Sequence, residues 1–188
     1  MFASTSSSST SPLTTPSNTP PALLSIEEYL HTTYHPDCDF VDGILEERNL
    51  GEFEHGTLQI AIGSWFFTHR AEWNIRVITE LRTRVSPTRI RIPDVCVVPH
   101  EGPLEKVRVT PPILCIEILS PEDRLSRTIR VLDDYLNMGV LNLWVIDPIE
   151  RTAFVYTRDG LRLVDTPRLT IENSPIYLDL PELFSALD

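Results

Sequence analysis

A short apolar run with one acid inside it constrains the fold of this chain most. Residues 113–119 read ILCIEIL and are bracketed by Pro112 and Pro121. An apolar run of this length, rich in β-branched residues and bounded by prolines, predicts a strand that is buried on both faces. Glu117 then places a carboxylate in an apolar setting. Because an unpaired buried charge is costly, this carboxylate needs a cation, a hydrogen-bond partner or a proton.

A second acid lies on the strand that is predicted before this run. Asp94 follows Pro93 within an apolar stretch over residues 90–98. If the two strands form an antiparallel hairpin, the register centred in the loop over residues 99–110 places Asp94 opposite Glu117. Side chains that face each other across such a pair have Cβ atoms about 4.5–5.5 Å apart. Two carboxylates at that distance repel each other, and a hard divalent cation such as Mg²⁺ (or Mn²⁺) between them removes the repulsion.

Two interpretations of this acidic pair remain open. In the first, Asp94 and Glu117 hold a metal ion that orients or activates a water and stabilises charge on a phosphate. In the second, Asp94 caps a turn and Glu117 pairs with an arginine of the helix that follows. The same register makes Cys96 and Cys115 cross-strand neighbours, where buried thiols that fill the core are expected.

The length of the chain and the composition of its first segment indicate how many domains it contains. The 188 residues suffice for one domain with a sizeable core. Residues 1–22 are dominated by Ser, Thr and Pro and predict a disordered tail, which leaves residues 23–188 as a single domain. No stretch reaches the roughly 20 apolar residues of a spanning helix. With no recognisable signal peptide and no CxxC spacing among three cysteines, a reducing cytoplasm is the expected compartment, with no membrane contact.

The charge balance limits how the chain can approach a nucleic acid. The formal net charge is −11, whereas a nucleic-acid binder that relies on bulk charge is basic. Contact with phosphate would therefore need local arginines and bound metal ions. Lys106 is the only lysine, so arginines supply almost all of the positive charge.

Helical and strand patterns alternate along the chain. Ser25 and Glu28 form a capping box that predicts a short helix to about residue 32. Asp42-Gly43 predicts a type I′ hairpin turn. The spacing of apolar residues predicts helices over 54–71 and from about 125 to Gly139, with strands near 75–85, 90–98, 113–119 and 143–146 and a hairpin over 153–164. This order predicts an α/β or α+β domain in which helices flank a central mixed β-sheet.

Several of these motifs, in this order, resemble those of a known family. Pro93-Asp94, twenty-two residues and then Glu117-Ile118-Leu119 resemble the PD-(D/E)XK nuclease pattern. With the motifs FVDG at 40–43, EH at 54–55, IPDV at 92–95, PILCIEILSP at 112–121 and LWVIDP at 143–148, the chain resembles the Uma-type restriction endonuclease family over about residues 24–164.

The resemblance implies a fold, an activity and a set of site residues. The fold is the restriction-endonuclease-like mixed sheet flanked by helices, and the activity is Mg²⁺-dependent hydrolysis of phosphodiester bonds in DNA. Asp94 and Glu117 are then metal ligands. Glu47 fits the family's upstream glutamate best, and Glu46 remains the alternative. Such nucleases often cut both strands as dimers, so a homodimer is possible.

One departure from the family pattern bears on activity. The superfamily places a lysine where this chain has Leu119, and the position of the family's migrated lysine is Val131 here. We expect Arg130, ahead of Arg127, to supply the missing positive charge, although arginine stays protonated and cannot act as a base. His55 either lines the site or bonds to the adjacent loop.

Two functions follow from the intact acids and the absent lysine. The first is a metal-dependent DNA endonuclease. The second is a non-catalytic module that binds nucleic acid or protein on a nuclease fold that has lost its catalytic lysine.

Overall fold

The computed structural model describes residues 23–48 and 52–188, so the tail predicted over residues 1–22 lies outside the described part. In chain order the elements are α1 (Ile26–Leu30), β1 (Cys38–Val41), β2 (Ile44–Glu47), α2 (Phe53–His69), β3 (Ile75–Thr79), β4 (Thr83–Ser86), β5 (Arg89–Arg91), β6 (Val95–Pro99), β7 (Leu114–Ile118), α3 (Leu125–Met138), β8 (Asn142–Asp147), β9 (Thr152–Thr157), β10 (Gly160–Leu163), β11 (Arg168–Thr170), β12 (Tyr177–Asp179) and α4 (Leu180–Ser185). Within these residues, no helix is both long enough and apolar enough to pass through a membrane.

A six-stranded mixed sheet forms the centre of the fold, in the order β10-β9-β8-β7-β6-β3. β7 and β8 run parallel because α3 connects them, and the other neighbours in this sheet are antiparallel. A four-stranded sheet in the order β2-β1-β5-β4 packs beside it, and β11 and β12 form a small third sheet. The predicted mixed sheet flanked by helices is therefore confirmed.

Two predicted strands are each divided between the sheets. The strand expected over residues 75–85 is β3 and β4, because Glu80 has φ +53°, a left-handed conformation that breaks an extended chain. The strand expected over residues 90–98 is β5 and β6, and Pro93, which has no N–H to donate, lies in the gap. Each break moves the chain from one sheet to the other.

The central strand β7 is buried on both faces, as its sequence predicts. Leu114, Ile116 and Ile118 pack on the α2 side, and Cys115 packs on the α3 side. Burying each large aliphatic side chain stabilises the fold by about 1.5–3 kcal/mol. The alternation of faces along β7 therefore assigns Glu117 to the α3 side.

The helix α3 is rotated relative to the prediction. In the sequence, the spacing of Leu125, Ile129, Leu132 and Leu136 at i, i+4, i+7 and i+11 predicts that these four form its buried stripe, but Leu125 is 62% exposed. Leu132 is buried as predicted, and the other buried positions are Thr128, Val131, Asp134 and Tyr135. Asp134 is drawn inward because it accepts hydrogen bonds from Arg89 and Arg91 of β5. Gly139, with φ +107°, ends the helix as predicted.

Candidate functional site

The hairpin of β6 and β7 brings Asp94 and Glu117 together. Its register pairs Val95 with Ile116 and Cys96 with Cys115, as the sequence predicts. The next position in this register sets Asp94 opposite Glu117, on the face that carries the two cysteines. Asp94 lies just before β6 and is 4% exposed, and its Oδ2 accepts a hydrogen bond of 2.8 Å from the backbone N–H of Ile118.

Two basic side chains contact the carboxylate of Asp94. Arg48, directly after β2, places Nη2 2.7 Å from Oδ1. His55, in the first turns of α2, places Nε2 3.3 Å from Oδ2. Burial lowers the pKa of His55, but the hydrogen bond to Asp94 and its charge outweigh that effect, and the net pKa shift is upward. His55 therefore lines the site, which was one of its two predicted roles.

Glu117 is held mainly by Tyr135 of α3, whose hydroxyl donates a hydrogen bond of 2.9 Å to Oε1. Burial raises the pKa of Glu117 well above its ordinary value, and the charge of Asp94 raises it further. The charge of Arg48 opposes both effects. The two acids thus repel each other as expected for facing carboxylates, and one arginine partly compensates them.

The arginine at Asp94 is Arg48, and the expectation for Arg130 is wrong. Arg130 is exposed, because it lies on the side of α3 away from the buried positions. Arg127 is closer to the site than Arg130. Together with Glu117, Leu119 and Val131 it lines a cavity of about 40 Å³, and its Nη2 donates to the backbone oxygen of Glu47 at 3.0 Å.

The upstream glutamates do not join the acidic pair. Glu47 is exposed, and the carboxylate of Glu46 accepts a 2.8 Å hydrogen bond from Arg91. Across residues 23–48 and 52–188, no three His, Cys, Asp or Glu side chains are grouped so that they could hold a metal ion. A metal at this site would therefore rest on Asp94 and Glu117 and complete its coordination with water and substrate oxygens, as Mg²⁺ commonly does.

Asp39 of β1 is a site residue that sequence reasoning missed. It is 4% exposed, and its Oδ2 accepts a 2.9 Å hydrogen bond from Arg91. Its Oδ1 is buried with no hydrogen-bond partner among the described residues. Burial raises its pKa although nearby arginines oppose the shift, and its charge in turn raises the pKa of Glu117. The sequence feature that could have identified Asp39 is an acid within a short strand, the same feature that identified Glu117.

Gln59 contacts the main chain at Asp94. It lies one turn after His55 on the same face of α2, and its Nε2 donates a 3.1 Å hydrogen bond to the backbone oxygen of Asp94. The N-terminal half of α2 therefore supports Asp94 through both a side chain and a main-chain contact.

The donor set at this position suits a hard divalent cation. Its groups are carboxylates, which Mg²⁺ and Mn²⁺ prefer over nitrogen or sulfur. Burial raises the pKa of Glu117, the charge of Asp94 raises it further, and Arg48 opposes both effects only in part. A divalent ion between the two acids would remove that repulsion, so the residues present fit the ion.

Comparisons with known proteins bear on the family and the fold of this chain. The profile of a family described as Uma2, putative restriction endonuclease, matches residues 26–187. Among solved structures, the chain is similar to a putative nuclease belonging to DUF820 from Anabaena variabilis ATCC 29413, at 24% identity and a TM-score of 0.75 over 87% of this chain and 99% of that chain. A DrdV–DNA complex matches at 15% identity and a TM-score of 0.37 over 69% of this chain and 11% of that chain. No curated protein sequence matches. The first structural match shows a shared fold.

Proposed function

Because the chain belongs to the Uma2 family of putative restriction endonucleases, we propose that it is a Mg²⁺- or Mn²⁺-dependent endonuclease that hydrolyses phosphodiester bonds in DNA. The observation that carries this proposal is the placement of Asp94 opposite Glu117 at the end of the β6–β7 hairpin. Both carboxylates would be metal ligands. A bound divalent ion would supply charge stabilisation at the phosphate and lower the pKa of a bound water.

The side chains around the pair have separate tasks in this proposal. Arg48 carries a permanent positive charge, so it can stabilise negative charge on a phosphate but cannot accept the proton of the attacking water. His55 lies on the other oxygen of Asp94 and can donate a hydrogen bond to it or to a phosphate. Tyr135 orients Glu117 through Oε1. Asp39 acts on Glu117 through its charge, whereas Glu47 is exposed, and among the described residues neither forms a three-acid metal site with the pair.

A second candidate function rests on one specific observation. Leu119 and Val131 occupy the positions where the family pattern has lysine, and Lys106, the only lysine, lies outside the motifs. A chain without a group to position and deprotonate water could keep the fold and bind metal or DNA without cutting. The alternative function is therefore a non-catalytic module that binds nucleic acid or protein.

Metal binding and plasmid nicking together separate the two functions. Calorimetric titration with Mn²⁺ and a supercoiled-plasmid assay with Mg²⁺ or Mn²⁺ should be run on wild type, Asp94→Asn and Glu117→Gln. The endonuclease proposal expects metal-dependent nicking that both variants lose. Glu172→Gln, an exposed acid in the C-terminal part, is the matched control and should behave as wild type. Metal binding without nicking supports the non-catalytic function, and wild type that binds no divalent ion overturns the proposed metal site.

A further inference from the structure

One edge of the central sheet and the helix beside it are left open. β3 pairs only with β6 among the described strands, so the peptide groups along its other edge have no strand partner there. An open edge of this kind is a template for pairing with another strand. α2 runs alongside β3, and the two enclose a groove of about 590 Å³.

An apolar stripe on α2 forms one wall of this groove. Phe53, Ile60 and Phe67 are 77%, 70% and 56% exposed and recur every seven residues, so they share one face of the helix. Together they expose on the order of 400 Å² of apolar surface, within the range of patches that are often functional on monomers. The described residues 23–48 and 52–188 leave this stripe exposed.

Two glycines beside the stripe are not explained by packing among the residues that the structure describes. A Cβ at Gly56 would meet no atom within 4 Å, and at Gly63 it would meet only the side chain of Thr79, at 4.0 Å. Glycine inside a helix costs about 1 kcal/mol relative to alanine. The described residues leave room for a side chain at both positions. The two glycines would therefore allow a second molecule to approach the helix closely.

The stripe is self-complementary about Ile60. Phe53 and Phe67 lie seven residues before and after it, and the small residues Gly56 and Ser64 lie four before and four after. An antiparallel copy of the same helix, related by a two-fold axis near Ile60, therefore sets Phe53 beside Phe67 of the second copy and Gly56 beside Ser64 of the second copy, where the small residues let the two helix backbones approach. Isologous interfaces of two-fold dimers have this property.

The charges along both elements follow the same symmetry. α2 has Glu54 in its first turn and His69 in its last turn, followed by Arg70. β3 carries Arg76 near its start, and Glu80 follows its end. An antiparallel copy brings the acidic end of each element towards the basic end of its partner, twice in each dimer. A parallel copy would set like charges together.

We propose that a second copy of this chain covers this face, so that β3 pairs with β3 and α2 packs antiparallel on α2 of the partner. The central sheets of two protomers then continue into each other. Apolar side chains from both protomers contribute on the order of 800 Å², and the paired strands and charged ends add to it, which brings the total into the range of stable interfaces, about 1,200–2,000 Å². The dimer does not depend on whether the protein cleaves DNA.

The mass of the full-length protein in solution tests the dimer. Light scattering after size exclusion and sedimentation velocity should give wild type twice the chain mass of 21.4 kDa at micromolar concentration. Ile60→Glu should raise the dissociation constant at least 100-fold, because it buries a charge at the two-fold axis. Leu163→Glu, 52% exposed on β10 at the opposite edge of the sheet, is the matched control and should stay dimeric. Circular dichroism checks that both variants are folded.

Two further variants separate this interface from any other. Gly56→Leu has open space in one chain and a better helix former, so it should raise the melting temperature of the monomer while weakening the dimer. Arg76→Glu should weaken the dimer, and adding Glu80→Arg should restore it. Wild type that stays at one chain mass up to about 100 µM overturns the proposal. A dimer that Ile60→Glu and Gly56→Leu both leave intact overturns it as well.

Discussion

Replacing Arg48 by methionine tests the electrostatic account of the acidic pair. The substitution removes the charge 2.7 Å from Asp94 Oδ1 and keeps most of the side-chain volume. The side chain of Arg48 is 18% exposed and that of Asp94 is 5% exposed, so solvent compensates the loss only in part. Asp94 keeps its contacts with His55 and with the N–H of Ile118.

The expected loss of stability follows from these contacts. A hydrogen bond to a charged group contributes about 1.5–3 kcal/mol, and the partial exposure of Arg48 points to the lower half of that range. For a chain of this size, 1 kcal/mol corresponds to about 2–4 °C in Tm. Arg48→Met should therefore lower Tm by about 3–9 °C without metal. Arg151→Met, which removes an exposed 2.8 Å pair with Asp188, is the control and should change Tm by less than about 2 °C.

Divalent metal should narrow this difference in stability. A ligand at 100 times its dissociation constant stabilises the folded state by about 2.7 kcal/mol. In wild type Arg48 already contacts Asp94 and competes with the ion, whereas in Arg48→Met the ion meets Asp94 without that arginine. The rise in Tm on adding Mn²⁺, measured by differential scanning fluorimetry against EDTA, should be several degrees larger in the variant. Equal Tm and equal metal response in wild type and Arg48→Met would refute the reasoning.

Three further predictions concern the groups around the site. Arg91 is 1% exposed and donates hydrogen bonds to Asp39, Glu46 and Asp134. Arg91→Met should therefore lower the free energy of unfolding, measured in urea, by about 3–5 kcal/mol. A loss below about 1 kcal/mol would contradict the role of this cluster. The folded protein holds the proton of Glu117 to higher pH than the unfolded chain does, so the stability that this group contributes is present below its ordinary pKa of 4.5 and is lost as pH rises towards the raised pKa. Glu117→Gln in EDTA should then be more stable than wild type at pH 8, with the difference shrinking towards pH 4; a difference that does not change with pH would contradict the raised pKa. Val131→Lys places an ammonium in the cavity that Glu117 lines and should raise any metal-dependent nicking by about tenfold or more; unchanged nicking in a folded variant would show that the missing lysine does not limit the rate.

The hairpin could be predicted from sequence because its determinants are local. The apolar runs around Asp94 and Glu117 have the alternation and length of neighbouring strands, and one loop joins them. The register centred in the loop is the simplest one for such a hairpin, and it sets Asp94 opposite Glu117. The paired cysteines then follow from the same register.

The cation at Asp94 could not be predicted in the same way. Arg48 lies outside any regular element and is 46 residues from Asp94 in sequence, so no local periodicity connects them. The rotation of α3 had a similar cause. Apolar spacing alone favoured Leu125 and Ile129 as buried positions. In the fold, Asp134 faces inward because it accepts hydrogen bonds from Arg89 and Arg91, and these partners on another element cannot be read from the spacing within the helix.

An arginine at Asp94 also makes the two acids unequal partners for a metal ion. Asp94 has a basic group at each oxygen, while Glu117 has a hydroxyl at one and a pKa that burial and Asp94 raise. The raised pKa of Glu117 predicts that this carboxyl loses a proton to the buffer when a divalent ion binds both acids. Metal affinity should then increase with pH, and binding should release protons that calorimetry detects as a dependence on the ionisation enthalpy of the buffer. Glu117→Gln has no such proton to lose, so any residual binding to it should be independent of the buffer. Wild-type binding without proton release would mean that Glu117 is already ionised beside Asp94, and that Arg48 compensates the pair fully.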